Sequence, residues 1–353
     1  MKSVLGARPR RNGGTDNPND LLGAMSSRVV GQPEAVASVV PYVHMFQAGL
    51  APEGRPVGVF LLLGPSGTGK TRTVEALASV LHGSEKNMLK VDCGEYQMEH
   101  EVAKLIGAPP GYLGHRETQP VLTQARLNAV TSEKSGMSLL LFDEVEKAAP
   151  SMTRLLLGVL DKATLRLGDN NTVNFERTMI FMTSNLGAAE MARAMRPEFG
   201  FEAIMAGEQA ASDKVLERIG IRAVRRKFSP EFVNRIDAVV TYRPLSTDSL
   251  DLILDQQLLG LQAHISHRLA SRGFPIEVSE QARQFLLERG TSPQYGAREL
   301  KRLIHRQLIQ PISALVSNGL IDPGEPLYVD VGEDPHRLAL STDPPKVRRP
   351  KAA

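Results

Sequence analysis

The sequence of 353 residues holds a single cysteine, Cys93, which excludes an internal disulfide and suits a reducing compartment. A lone thiol of this kind reads as a small apolar residue of the core. Long hydrophobic runs are also missing. The most apolar stretches, VGVFLLLG and SLLLF, are far too short to cross a bilayer. The amino-terminal MKSVLGARPRRNGG is basic but lacks a continuous apolar segment, so it is not a secretory signal. No internal repeat and no long low-complexity tract occurs. Nor does either sign of charge dominate. Residues 1–20 and 341–353 carry +2 and +3 of a formal net charge of +3, leaving the body at −2. A slightly acidic body argues against binding nucleic acid. The tails, rich in Pro, Gly and Asn, read as disordered. A soluble cytoplasmic protein with no membrane partner is expected.

An apolar content of 42% is enough for a sizeable core. From Val57 onwards short apolar runs alternate with amphipathic segments. VGVFLLLG, NMLKVDC, SLLLFDE and RTMIFMTSN have the length of buried strands. KTRTVEALASVLHG between them reads as a helix ending at Gly83. This alternation predicts an α/β fold with a mostly parallel sheet flanked by helices. After YRPLSTDS the pattern changes. Leu250, Leu254, Leu258, Leu261, Ile265 and Leu269 recur at helical spacing. A strand-like FPIEV follows, then helices around SEQARQFLLERG and GARELKRLIHRQL, and a closing strand in EPLYVDV. The expected organisation is a basic tail over 1–20, a large α/β domain over 21–244, a smaller mainly helical domain over 245–335, and a second basic tail over 336–353.

GPSGTGKT, comprising Gly64, Pro65, Ser66, Gly67, Thr68, Gly69, Lys70 and Thr71, follows a strand and opens a helix, as a Walker A loop requires. Glycines let backbone N–H groups turn inward around phosphate oxygens, and the helix N-terminus adds partial positive charge. Lys70 is assigned to the β- and γ-phosphates and the Thr71 hydroxyl to Mg²⁺. A dinucleotide fingerprint fails because no third glycine follows Gly69 at the required spacing. Asp143 and Glu144 end the strand in LLLFDEVEKA, at the sheet edge where ligands of α/β folds bind. Asp143 is expected to anchor Mg²⁺, and Glu144 to orient and deprotonate the attacking water. Without the Walker loop, such a pair would read as a solvated strand end. Asn185, closing MIFMTSN, is placed to position the same water; its alternative is a turn-forming role.

The stretch LIGAPPGYLGHRE carries two prolines and three glycines, so it is a loop. Its tip holds an apolar pair, Tyr112 and Leu113, between Gly111 and Gly114.

Taken with RVVGQPEAV (28–36), MTSNLGA (182–188), FSPEFVNRID (228–237) and YGARELKR (295–302), these segments resemble the AAA+ ATPases. The likeness is nearest to the second ATPase module of the Clp unfoldase and disaggregase branch. That resemblance implies a P-loop AAA+ fold, ATP and Mg²⁺ as cofactors, and ATP hydrolysis coupled to unfolding of polypeptide threaded through a homo-hexameric pore. Val29 and Val30, with Gly31 and Gln32, correspond to the segment lining the adenine pocket. Asn185 corresponds to sensor 1, Arg298 to sensor 2, and Arg235 to the arginine finger reaching a neighbouring subunit. For Arg235 a local ion pair with Asp237 is the alternative, and for Arg298 a solvated charge at a helix start. Tyr112 and Leu113 correspond to the pore loop that grips substrate; LRLGDNNTVNF resembles the second pore loop.

Departures from the family bear on partners. Only about twenty residues precede the expected ATPase domain, so the amino-terminal domain and first module of the relatives are not expected, and an adaptor is a candidate partner. Phe199-Gly200-Phe201 stands where relatives that feed a separate peptidase carry an aliphatic-Gly-Phe or aliphatic-Gly-Leu tripeptide. His115 replaces the commoner aromatic after the pore-loop glycine. A AAA+ motor acting on nucleic acid, or a ring-forming module with little turnover, are the rival readings. The pore-loop aromatic argues against the first, and the complete catalytic set against the second.

Overall fold

The computed structural model describes residues 20–107, 120–194, 209–291, 296–334 and 336–344, with side chains from 214 onward in the third segment. The described residues divide into two compact units, one up to residue 244 and one from residue 245 onward.

In the unit up to residue 244, β1 (Gly58–Leu63), β2 (Leu89–Asp92), β3 (Ser138–Asp143), β6 (Thr178–Ser184) and β7 (Ala238–Thr241) form a five-stranded sheet in the order β2-β3-β6-β1-β7. Every pairing in it is parallel, with Gly58 opposite Met179 and Leu63 opposite Ser184 at the centre. The three central strands β3, β6 and β1 read as near-continuous apolar runs because both faces are covered. Alternation then sorts their side chains. Val59, Leu61, Leu63, Phe142 and Met182 face one core, closed by helices Glu99–Ile106 and Pro150–Lys162. Phe60, Leu62, Leu141 and Phe181 face the other, closed by helices Pro33–Gln47 and Lys70–His82. There the Phe60 and Phe181 rings stack at 5.2 Å and Tyr42 meets Phe60 edge-on at 4.9 Å. Cys93 is fully buried in the first core, and burial pushes its thiol pKa well up, as the inert apolar reading requires.

Two more strands, β4 (Thr164–Arg166) and β5 (Thr172–Asn174), pair antiparallel as a separate hairpin. This is the LRLGDNNTVNF segment. Asp169 accepts the Asn171 N–H at 3.0 Å and Asn170 sits at φ 70°, a left-handed position that Asn tolerates well.

In the unit beginning at residue 245, helix Thr247–Leu269 starts at Ser246, whose hydroxyl accepts the Ser249 N–H at 3.2 Å. Arg283 on helix Glu280–Gly290 forks across Asp251 and Asp255 of that first helix at 2.7 and 2.5 Å. Helix Ala297–Ile304 continues through a π-helical turn, His305–Ile309, into helix Gln310–Ser317. A three-stranded sheet packs with them: β8 (Ile276–Val278) parallel to β9 (Leu327–Val331), and β9 antiparallel to β10 (Leu338–Ser341). The last strand corrects the expected tail over 336–353. Leu338 is buried against this core, so the unit runs past residue 335, and the basic composition belongs to the residues after it. β7 was also not anticipated, because AVVT is short and lies between polar flanks.

Candidate nucleotide site

Between β1 and helix Lys70–His82 the chain turns through Gly64–Gly69, and Lys70 and Thr71 open the helix. Gly64, Gly67 and Gly69 all have positive φ, at 146°, 77° and 105°. These are angles that L-residues with a Cβ rarely adopt, so the loop depends on glycine at these positions. At Gly64 space is limiting too, since a Cβ would stand 2.7 Å from the Tyr242 carbonyl oxygen. Gly64→Ala is therefore expected to lower stability by about 1–3 kcal/mol through overpacking, read as a fall in the urea midpoint. An unchanged midpoint would contradict this packing argument. Around Gly69, by contrast, a Cβ would meet nothing within 4 Å, so the space beside it is open.

Lys70 is only 8% exposed, and its ammonium donates to the carbonyls of Gly64 (2.7 Å) and Pro65 (2.9 Å) and to Asn185 Oδ1 (2.9 Å). The Asn185 amide turns its Nδ2 to Glu144 Oε1 at 3.3 Å. One side chain thus joins the Walker lysine to the candidate base. Glu144 sits just after β3 in a left-handed conformation, φ 57° and ψ 49°, uncommon for a non-glycine residue. Its N–H is held by Thr183 Oγ1 at 3.0 Å and its Oε2 by Lys147 Nζ at 2.5 Å. The hydrogen bond and charge of Glu144 push the Lys147 pKa up. Asp143 accepts from Thr183 on one oxygen and pairs with Lys90 on the other at 2.6 Å. Burial by itself would raise the Asp143 pKa. The hydrogen bonds from Lys90 and Thr183, with the charges of Lys90 and Lys70, outweigh it and hold this carboxyl below the ordinary range.

The structure therefore brings together Gly64 to Thr71, Asp143, Glu144 and Asn185. Val29 is buried among Met25, Val36 and Val39, while Val30 is half-buried beside it. Arg235 lies apart from the Lys70–Asn185–Glu144 chain, its Nε 2.7 Å from Asp161 and its side chain 40% exposed. The local partner considered for it, Asp237, is engaged elsewhere: it accepts the Val59 N–H at 2.8 Å and pairs with Arg55 at 3.1 Å. Arg298 is exposed in the first turn of helix Ala297–Ile304, in the other unit. Tyr112, Leu113 and Phe199 to Phe201 lie outside the described residues.

Four residues around the site were missed. Thr183 precedes Asn185 by two positions, a spacing that in a strand marks the same face. Lys90, Glu146 and Lys147 carried no comparable signal. Glu146 Oε1 accepts the Asn185 backbone N–H at 3.0 Å, a link that depends on how β3 and β6 lie side by side.

Residues 55–239 match the description of an AAA domain (Cdc48 subfamily), and residues 245–329 that of the C-terminal, D2-small domain of ClpB protein. The chain belongs to the AAA+ ATPases. Within that family it is of the Clp type, matching the second module. It is 39% identical over 323 residues to the chaperone protein ClpB of Meiothermus ruber, covering 92% of this chain and 35% of the relative. It also superimposes on Hsp104 in a closed state with ATPγS and FITC casein, at TM-score 0.74 and 30% identity over 91% of this chain and 51% of that one. An extended Hsp104:casein complex of S. cerevisiae gives 0.76 and 29% over 92% and 53%. The chain thus spans about a third of the length of the curated relative and about half of the Hsp104 chains. A nucleotide is the ligand this AAA+ loop fits: a glycine loop with open space beside Gly69, a buried ammonium, and two carboxylates at the end of β3, one strand beyond β6 in the sheet. No helix among the described residues is long and apolar enough to cross a membrane.

Proposed function

We propose that the chain is an ATP-driven protein unfoldase, working as a homo-hexameric ring in the cytoplasm and drawing polypeptide through its centre. The observation that carries this reading is the hydrogen-bonded line Lys70–Asn185–Glu144, which ties the phosphate loop to a carboxylate able to take a proton from water. ATP bound at the loop supplies the anhydride that is cleaved, and Mg²⁺ neutralises charge on its phosphates. Thr71 and Asp143 are the protein groups assigned to that cation. Among the described residues no cluster of three or more acidic, His or Cys side chains could hold a metal alone, so the remaining ligands would be phosphate oxygens and water. Lys70 is assigned to the β- and γ-phosphates, Asn185 orients the water, and Glu144 deprotonates it. By the family resemblance, Val29 and Val30 are assigned to the base and Arg298 to sensing the nucleotide. Arg235, half-exposed and with an ion pair that a stronger anion can displace, is assigned to the neighbouring protomer's nucleotide.

Work on a polypeptide is assigned to Tyr112 and Leu113. An aromatic face packs against any chain, so its grip need not depend on client sequence. The relatives support this reading, since the Hsp104 structures contain casein. Tyr112→Ala is expected to leave ATP turnover within about twofold and to stop unfolding of a fluorescent client, because the residue is assigned to grip and not to the phosphate site. Equal unfolding rates for the two proteins would remove the threading assignment. An adaptor, or a peptidase docked through Phe199 to Phe201, would be a further partner; co-purification with the Glu144→Gln variant tests for either.

A further inference from the structure

Gln32 is 4% exposed, and its whole amide is used. Nε2 donates to the Thr68 carbonyl at 3.1 Å and to the Arg243 carbonyl at 2.8 Å, while Oε1 accepts the Arg243 N–H at 3.2 Å. Only one orientation of the amide satisfies all three partners, because the flipped group would set oxygen against two carbonyls. Arg243 follows Tyr242, and Tyr242 already grips the loop at both ends. Its N–H donates to Leu63 O at 2.6 Å, its hydroxyl to Thr73 Oγ1 at 2.6 Å, and its carbonyl stands where a Gly64 side chain would begin. Gln32 is a further tie, and it acts at the crown.

A trans peptide points its C=O and the following N–H in opposite directions. With the Thr68 oxygen drawn to Gln32, the Gly69 N–H must face away from Gln32. Among the described residues nothing accepts that N–H. We propose that Gln32 is a positioning residue of the phosphate loop: it orients the Thr68–Gly69 peptide so that the Gly69 amide is presented to the β-phosphate of a bound nucleotide. This assigns Gln32 to phosphate binding and not to the base, and it rests on reading Gly64 to Thr71 as the nucleotide site.

The test is calorimetric titration of the full chain with ADP and with AMP, which share base, ribose and α-phosphate and differ in the β-phosphate. Gln32→Glu keeps the shape but removes both donors, and Gln32→Met removes all three bonds. Both variants are expected to bind ADP about tenfold more weakly, the scale of one hydrogen bond to a charged group, with AMP affinity within twofold of the parent. ATP turnover should show the same split, a raised KM with kcat nearly kept. In the parent chain, the Gly69 amide resonance should shift on adding ADP and stay in place with AMP, a readout that needs no variant to fold. Equal loss for ADP and AMP, unaltered ADP binding, or a Gly69 resonance indifferent to ADP would each overturn the proposal. Failure of the parent to bind ADP would instead overturn the nucleotide-site reading, and the proposal with it.

Discussion

Glu144→Gln is expected to bind ATP as well as the parent and to hydrolyse it about 10²–10⁴-fold more slowly, the range general-base catalysis contributes. The substitution keeps the side chain's length, so an acceptor oxygen remains for Lys147 or Asn185 to bond. Glu144 is held by three groups: Thr183 Oγ1 on its backbone, Asn185 Nδ2 on one carboxylate oxygen and Lys147 on the other. What the amide cannot do is accept a proton from water near neutral pH. Because ground-state contacts largely survive, the loss should fall on kcat and leave nucleotide affinity near its starting value. Phosphate release under saturating ATP, measured beside equilibrium binding of a fluorescent analogue, checks both halves. Turnover within a few-fold of the parent would remove Glu144 from the role of base.

Arg235→Ala should be as damaging by a different route. A guanidinium at the γ-phosphate can be worth about 10³–10⁵ in rate, and the proposed ring supplies it from the neighbouring protomer. The pair with Asp161 is a surface contact, both side chains being about two-fifths exposed. Such pairs contribute about 0–1 kcal/mol, so the melting temperature should barely move while hydrolysis collapses. The shared site has a sharper consequence. Glu144→Gln and Arg235→Ala are each nearly inactive alone, yet mixing them creates interfaces that hold an intact Glu144 on one side and an intact Arg235 on the other. Partial return of hydrolysis on mixing is expected. Its absence in rings shown to contain both chains would place Arg235 outside the neighbour's site.

The loop from Gly64 to Thr71 was legible because its chemistry is local. Three glycines that must take positive φ, a lysine and a threonine stand in one unbroken stretch, framed by an apolar run and a helical pattern. The strands holding Asp143 and Asn185 were legible for a related reason: burial on both faces makes a strand apolar throughout, so its polar end stands out. What lies between strands was not. The bonds of Thr183 to Asp143 and of the Asn185 backbone to Glu146 depend on β3 lying beside β6, and parallel neighbours are joined by long crossovers that leave no short-range mark. Arg235 repeats the point. Its partner is not Asp237, two residues away, but Asp161 on a helix distant in the chain.

By itself, then, the order of residues determined the four strands β1, β2, β3 and β6, the phosphate loop and the kinds of group available to it, since these follow from backbone preference and hydrophobic period within short windows. The three-dimensional packing decided which of those groups hold one another. Gln32 is the clearest instance: it meets Thr68 from 36 residues away and Arg243 from 211, at a point where the end of β7 comes alongside the P-loop. A buried amide must find partners wherever the folded chain sets a carbonyl or an N–H within reach, and that place is settled by strand order and register across the whole sheet.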